Sequence, residues 1–359
     1  MSFNPSLPYD NLPLLPPAVP LETPAVLKKA IGANRLLAEL KGMGGVIPNP
    51  GVLIRTIALQ EARVSSEIEN IVTTNDELYR ALDGATGKVD PHAKEVLRYQ
   101  DALWAGYEAI RKRPLLTTNL FVELARTITG TMGGIRRVPG TKIANSRGEV
   151  IYTPPEGEAR IRELLGNLEK FIHAEDGLDP LVKLAVMHYQ FEAIHPFTDG
   201  NGRTGRILNI LYLVQQELLE QPILYLSHYI IQNKAGYYTK LRAVTEAGAW
   251  EDWVLYMLEA VEATARTTRD KILAIRDLMD GALEIAREKG GKWYSKELVE
   301  LIFTHPYCKI RFLEEAGIAK RQAASKYLQE IEAIGLLSSV KKGREVYYVN
   351  EPLLKVLVG

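Results

Sequence analysis

Residues 181–219 read as an apolar helix, a polar break and a second apolar helix, and that break limits the folds open to the chain. The stretch LVKLAVMHYQFEAI (181–194) is predominantly apolar. Pro196 should end it, because the residue before a proline is driven out of the helical region. The helical pattern resumes at Thr204 and runs to Leu219. Between the two lies His-Pro-Phe-Thr-Asp-Gly-Asn-Gly-Arg-Thr-Gly-Arg (195–206). A loop feeding a helix N-terminus presents unpaired N–H groups and the positive end of the helix dipole, so it favours an anion. Gly200 and Gly202 let the backbone approach a phosphate closely and adopt positive φ. Asn201 can add a side-chain amide donor. Arg203 and Arg206, three apart on one helix face, can fork onto phosphate oxygens. His195, with an ordinary pKa of about 6.5, is largely neutral at pH 7 and is the natural general base. Asp199 is a lone carboxylate beside a phosphate site, which suits Mg²⁺ completed by water and substrate oxygens. Phe197 should turn inward and anchor the loop. The spacing of a P-loop is absent.

The rest of the pattern is mainly helical. Residues 1–25 carry seven prolines and cannot form a helix, so they make an extended arm, either disordered or draped over the body. Apolar residues then recur at helical spacing over 26–43, 51–72, 93–112, 117–131, 157–175, 180–193, 204–219 and 250–286. One interruption, TKIANSRGEVIYT (141–153), reads as two short strands about an Asn-Ser-Arg-Gly turn. A lone hairpin is marginally stable, so it must lean on the helices. The charged, glycine-bearing segment 287–292 reads as a linker. Beyond it, helices at 295–303, 306–315 and 318–335 precede two strands within 336–350, the order of a winged helix. At 359 residues the chain exceeds one typical core. It divides into 1–112, 113–286 and 292–359.

Composition excludes rather than identifies. The 44 basic and 44 acidic residues balance, so no global field steers the chain to nucleic acid or acidic membranes. The single cysteine, Cys308, allows no intrachain disulfide and suits a reducing, cytoplasmic setting. The N-terminus lacks a signal-peptide pattern. Apolar runs such as 207–214 are too short to span a bilayer, and no membrane partner is expected.

HPFTDGNGRTGR resembles the signature of Fic-domain adenylyltransferases, HPFx[D/E]GNGRxxR, and matches every fixed position. The resemblance implies a mainly α chain: a Fic-fold helical core with a small β-hairpin flap, joined here to a C-terminal winged-helix domain. It implies AMP transfer from Mg-ATP to a Ser, Thr or Tyr hydroxyl of a target protein or of the chain itself. His195 would deprotonate the hydroxyl and Asp199 would bind Mg²⁺. Gly200, Asn201 and Gly202 would hold the α-phosphate, and Arg203 and Arg206 the outer phosphates. Doc-type kinases carry Lys where this chain has Gly202, which disfavours phosphoryl transfer. Asn233, Tyr237 and Tyr238, within YLSHYIIQNKAGYYTKLRAV (225–244), are similar to residues that line the nucleotide base. Segment 141–153 resembles the flap, where Lys142, Ile143, Val150, Ile151 and Tyr152 would take a target peptide by strand addition. A homodimer is also expected.

Ser65, Glu69 and Asn70 fill the fixed positions of the inhibitory motif [S/T]xxxE[G/N] of Fic proteins that carry their inhibitor N-terminally. The resemblance implies that Glu69 pairs with Arg206 and displaces the ATP γ-phosphate. An exposed pair contributes roughly 0–1 kcal/mol, so the pair must be partly desolvated to silence an enzyme. The same carboxylate can instead position water for removal of AMP. The alternative is a DNA-binding regulator whose Fic core senses nucleotide. Its contacts would be Lys320, Arg321 and Lys326 on the recognition helix and Lys341, Lys342 and Arg344 on the wing.

Overall fold

The computed structural model describes residues 3–47, 49–82, 90–145, 147–342 and 345–358. Its first half contains α1 (Pro24–Gly42), α2 (Pro50–Ile68), α3 (Asn75–Leu82), α4 (Pro91–Lys112) and α5 (Thr118–Thr129). The flap follows as β1 (Ile143–Ala144) and β2 (Val150–Tyr152). Then come α6 (Glu158–His173), α7 (Pro180–Ile194), α8 (Asn201–Gln215), α9 (Leu226–Gln232), α10 (Lys234–Ala247) and α11 (Trp250–Lys289). The chain is mainly α, and up to α11 the described strands are those of the flap.

Several helices start where the chain supplies a cap. Thr23, Asp90 and Asp179 each accept a hydrogen bond from the first turn of α1, α4 and α7, and a proline opens each helix. The helix α7 is buried at all but two of its positions. A helix apolar all round belongs in the centre of the fold, and α8 lies beside it. The two helices flanking the 195–206 loop therefore form the core, and the loop emerges at its edge.

The proline arm is draped, not loose. Leu12, Leu15 and Leu21 are buried. Asn167 on α6 donates to the Leu15 carbonyl at 3.0 Å and accepts from its N–H at 2.7 Å. Gln190 on α7 donates to the Pro13 carbonyl at 2.8 Å.

The segment 287–292 is not a free linker. The helix α11 continues through Lys289 for 40 residues, about 60 Å at the usual rise. Its start is tied to α7 by Trp253 Nε1 donating to the Ala185 carbonyl at 2.8 Å. Farther along, Lys271 donates to the carbonyls of Val356 and Leu357. The C-terminal module comprises α12 (Lys296–Thr304), β3 (Tyr307–Cys308), α13 (Ile310–Glu315), α14 (Arg321–Ala333), β4 (Ser338–Lys342), β5 (Glu345–Val349) and α15 (Glu351–Val358). Residues 306–309 are thus not helical: Tyr307 and Cys308 pair antiparallel with Val349 and Tyr348, giving a sheet of order β3-β5-β4. The turn residue Arg344 lies outside the described residues. Lys342 is paired with Asp76 of α3, and Tyr307 stacks on Tyr79 at 5.2 Å. Lys320, Arg321, Lys326 and Lys341 are exposed.

Candidate active site

His195 is the C-cap of α7 and sits at φ 49°, in the left-handed region that non-glycine residues rarely enter. Arg136 holds it there. Its Nε donates to the His195 carbonyl at 2.8 Å, its backbone N–H to the Pro196 carbonyl at 2.9 Å, and its Nη2 to the carbonyls of Pro155 and Ile194. Sequence reasoning gave Arg136 no role, and an Arg-Arg pair in a Gly- and Pro-rich stretch was a poor signal. Arg136→Ala leaves three carbonyls without their donor, at about 1–3 kcal/mol for each buried group left unsatisfied. We expect urea unfolding to show a loss of about 3 kcal/mol or more; a loss under about 1 kcal/mol would contradict this bracing role. Burial, seconded by the Arg136 guanidinium, pushes the His195 imidazole down to about 4. It is therefore neutral at pH 7 and can accept a proton. Its Nδ1 is buried.

The helix α8 begins at Asn201, three residues before the expected Thr204, because Gly200 at φ 82° serves as its N-cap. No side chain caps this end, so the amides of the first turn stay open to an anion. The Asn201 side chain is not the free donor the sequence suggested. Its Oδ1 accepts from Phe197 N at 2.8 Å and its Nδ2 donates to the Phe197 carbonyl at 2.8 Å. That clamp folds the loop over buried Phe197 and leaves the Asn201 backbone for an anion. Arg203 donates to Glu95 of α4 at 2.5 Å and lies 3.5 Å from Asp199. The Asp199 side chain is 70% exposed, and its Oδ1 accepts from Gly200 N at 2.6 Å. Asp199, Gly200, Gly202, Arg203 and Glu95 line a cavity of about 390 Å³. Among the described residues no group of three or more metal-ligating side chains assembles. A single open carboxylate fits a cation whose shell is completed by water and phosphate oxygens.

The end of α2 reaches this loop. The helix stops at Ile68, short of the expected 72, in a Schellman turn: Asn70 at φ 64° donates to the Glu67 carbonyl and Ile71 to the Ser66 carbonyl. Asn70 thus serves the motif through backbone conformation, which aims Glu69 off the helix end. Arg206 donates from Nε to Ser65 Oγ at 2.8 Å, and from Nη2 to the Ser65 carbonyl at 2.8 Å and to Glu69 Oε1 at 2.9 Å. Arg206 is 2% exposed and Glu69 35%. Burial raises the Glu69 pKa, yet the Arg206 charge and hydrogen bond hold it below the usual carboxylate range. Burial likewise opposes the Arg206 charge, and Glu69 together with Tyr99, Tyr237 and Glu192 outweighs it. Gly202 permits the approach: a Cβ there would lie 2.3 Å from Glu69 Oε1. The helix α2 is pinned by buried Glu61, which accepts from the Ser227 N–H at 2.9 Å, from the Ser227 hydroxyl, and from Tyr99 OH at 3.3 Å.

On the other side of His195, Gly202 and Arg206 lies a second cavity, of about 170 Å³. The flap forms one wall. Ile143 pairs with Tyr152 and Ala144 with Val150, and Tyr152 OH donates to the Ala193 carbonyl at 2.8 Å. Ile143, Ile151 and Tyr152 line the cavity; Val150 and Lys142 do not. The turn residue Ser146 lies outside the described residues. The helix α10 forms the opposite wall with Tyr237, Tyr238, Leu241, Arg242 and Thr245. The last three were missed, although their spacing from the tyrosines is that of one helix face. Asn233 caps α9 by donating to the Tyr229 carbonyl at 3.0 Å and is not among the residues lining this cavity. Glu192, also missed, lines the floor, and burial pushes its carboxyl up to about 7.

Comparison with known proteins places the chain. Residues 27–108 match the family model described as Fic/DOC family N-terminal, and residues 115–213 the Fic/DOC family model. Residues 278–353 match the C-terminal domain of SoFic-like protein adenylyltransferases. The Caenorhabditis elegans protein adenylyltransferase fic-1 is 29% identical over 163 residues, 42% of this chain and 30% of that protein. A probable protein adenylyltransferase of Aquifex aeolicus is 33% identical over 95 residues, 26% of this chain and 27% of that protein. The chain spans less than a third of the length of these two relatives. In structure it is similar to a Fic family protein from Desulfovibrio desulfuricans, with a TM-score of 0.59 at 20% identity, covering 91% of this chain and 96% of that one. Residues 134–508 of Caenorhabditis elegans Fic-1 align with a TM-score of 0.52 at 22% identity, covering 68% of this chain and 73% of that one. Both likenesses show the Fic fold.

Proposed function

Because this chain belongs to the Fic/DOC family, we propose that it is a protein adenylyltransferase, held inactive by its own Glu69. The observation that carries the reading is the convergence of His195, the open first turn of α8 and Arg206 between two cavities, one beside Asp199 and one beside the flap. A target hydroxyl placed by the flap gives its proton to the His195 imidazole while its oxygen attacks the α-phosphorus of ATP. The bond from that phosphorus to the bridging oxygen breaks, and pyrophosphate leaves. The backbone amides of Gly200, Asn201 and Gly202 stabilise the charge that develops on the α-phosphate. Arg203 and Arg206 hold the outer phosphates once their carboxylate partners yield. Asp199 is the residue that would hold Mg²⁺, which supplies charge neutralisation to the phosphates.

Acceptance of a target segment beside the flap places Ser, Thr or Tyr near His195, with main-chain pairing giving affinity without demanding a sequence. Label transfer from α-³²P-ATP to protein by the purified Glu69→Gly chain, well above that of the unaltered chain, tests the reading. Label from γ-³²P-ATP in its place would overturn it. The alternative as a DNA-binding regulator draws less support, because Lys342 of the wing is paired with Asp76.

The low pKa of His195 has a kinetic consequence. A base is competent when unprotonated, and burial with Arg136 sets the protonation near 4. Transfer by Glu69→Gly at saturating Mg-ATP is expected to be flat from about pH 6 to 8 and to fall only well below about pH 6. An acid limb centred near the ordinary histidine value of about 6.5 would contradict the assignment.

A further inference from the structure

We infer that the N-terminal arm completes the nucleotide site: Phe3 forms part of the wall against which the purine base packs. This rests on the reading of the site as an ATP site. The cavity beside the flap is lined by Phe3 together with Tyr152, Tyr237, Tyr238 and Leu241. Gly202 and Arg206 line it too, so it is continuous with the place proposed for the phosphates. A narrow, aromatic-walled space opening from a phosphate site fits a planar base, since every base has a π-face that stacks on aromatic rings. The cavity exists with Phe3 in place, which makes Phe3 a wall and not a plug.

The arm is fixed well enough to serve. Phe3 stacks on Tyr152 of the flap at 6.1 Å and 20°, and meets Tyr9 edge-on at 5.6 Å. Behind it, Tyr9 N donates to the Thr153 carbonyl at 3.0 Å and Thr153 Oγ donates to the Pro5 carbonyl at 2.7 Å. A local turn, with Ser6 N donating to Asn4 Oδ1 at 3.0 Å, sets the exit of the chain from Phe3. The ring is therefore ordered before any ligand arrives, which limits the entropy lost on binding. The arm and flap form one unit, so base binding and flap position are coupled through Phe3 and Tyr152.

The test is calorimetric titration of the Glu69→Gly full chain with two probes, ATP and inorganic tripolyphosphate, before and after Phe3→Ala. Loss of one aromatic wall should weaken ATP by about 5- to 20-fold. Tripolyphosphate, which has no base, should bind both chains alike. Phe3→Trp should restore ATP affinity, which separates the ring's contact from any disturbance of the arm. Equal ATP affinity in Glu69→Gly with and without Phe3→Ala would overturn the inference. Tighter ATP binding after Phe3→Ala would also overturn it, by making Phe3 an obstruction. Failure of Glu69→Gly itself to bind ATP would instead sink the adenylyltransferase reading, so the two failures are distinct.

Discussion

Glu69→Gly is expected to raise incorporation of label from α-³²P-ATP, into the chain itself and into added protein, by about a hundredfold. A change of that size corresponds to about 2.7 kcal/mol between the closed and competent states. An exposed ion pair supplies at most about 1 kcal/mol, which would not suffice. Here Arg206 is buried and its hydrogen bond to Glu69 is charge-assisted at 2.9 Å. Such bonds contribute about 1.5–3 kcal/mol. The γ-phosphate must break that bond to claim Arg206, and the pinned α2 helix makes Glu69 a persistent competitor. The variant should remain folded, because the two bonds from Arg206 to Ser65 do not involve the lost carboxylate. Glu69→Gln, which keeps the shape and loses the charge, should give an intermediate gain. Incorporation unchanged in a folded Glu69→Gly chain would refute the inhibitory role.

The second large effect is a loss. In the Glu69→Gly background, His195→Ala should lower transfer by about 10²- to 10⁴-fold, the range for removing a positioned general base. ATP affinity should be nearly unchanged, since the amides of α8 and Arg206 remain. That split, rate lost and binding kept, is the mark of a group acting on the acceptor hydroxyl and not on the nucleotide. Weakened ATP binding with the rate per bound ATP preserved would place His195 among the phosphate contacts and end its assignment as base.

Residue type and short-range spacing made part of this site legible. The loop 195–206 shows a histidine, an open carboxylate and a glycine turn, because these are residue types gathered within twelve positions. The helix α7 was legible because its apolar residues fall on every face, and α8 because of its apolar run 207–214. Arg136 was invisible: it works by donating to the carbonyls of residues 155, 194 and 195, and carbonyls look the same at every position. Thr245 and Leu241 were missed since nothing in a helix sequence states which face meets a ligand. Asn201 was misread for a related reason. An amide can serve a phosphate or clamp a loop, and only the 2.8 Å bonds to Phe197 decide between them.

Most of the long helices, the flap hairpin and the reactive loop follow from local pattern, whereas the short helices α3, α9 and α15 and the strand β3 do not stand out in it. Three things belonged to the tertiary structure. Glu69 is 137 positions from Arg206 in the chain, and the Schellman turn at Asn70 brings the pair together. Phe3 reaches the flap because the proline arm is anchored along α6 and α7. The C-terminal sheet meets α3 through Tyr79 and Asp76, and α12 of the same module packs on α2, whose C-cap is Glu69. Each is a contact between segments distant in the chain, whose energy comes from burial and paired charge that no local window contains. That is why local pattern shows which reactive residue types share one loop, and the fold alone decides which distant residues meet them.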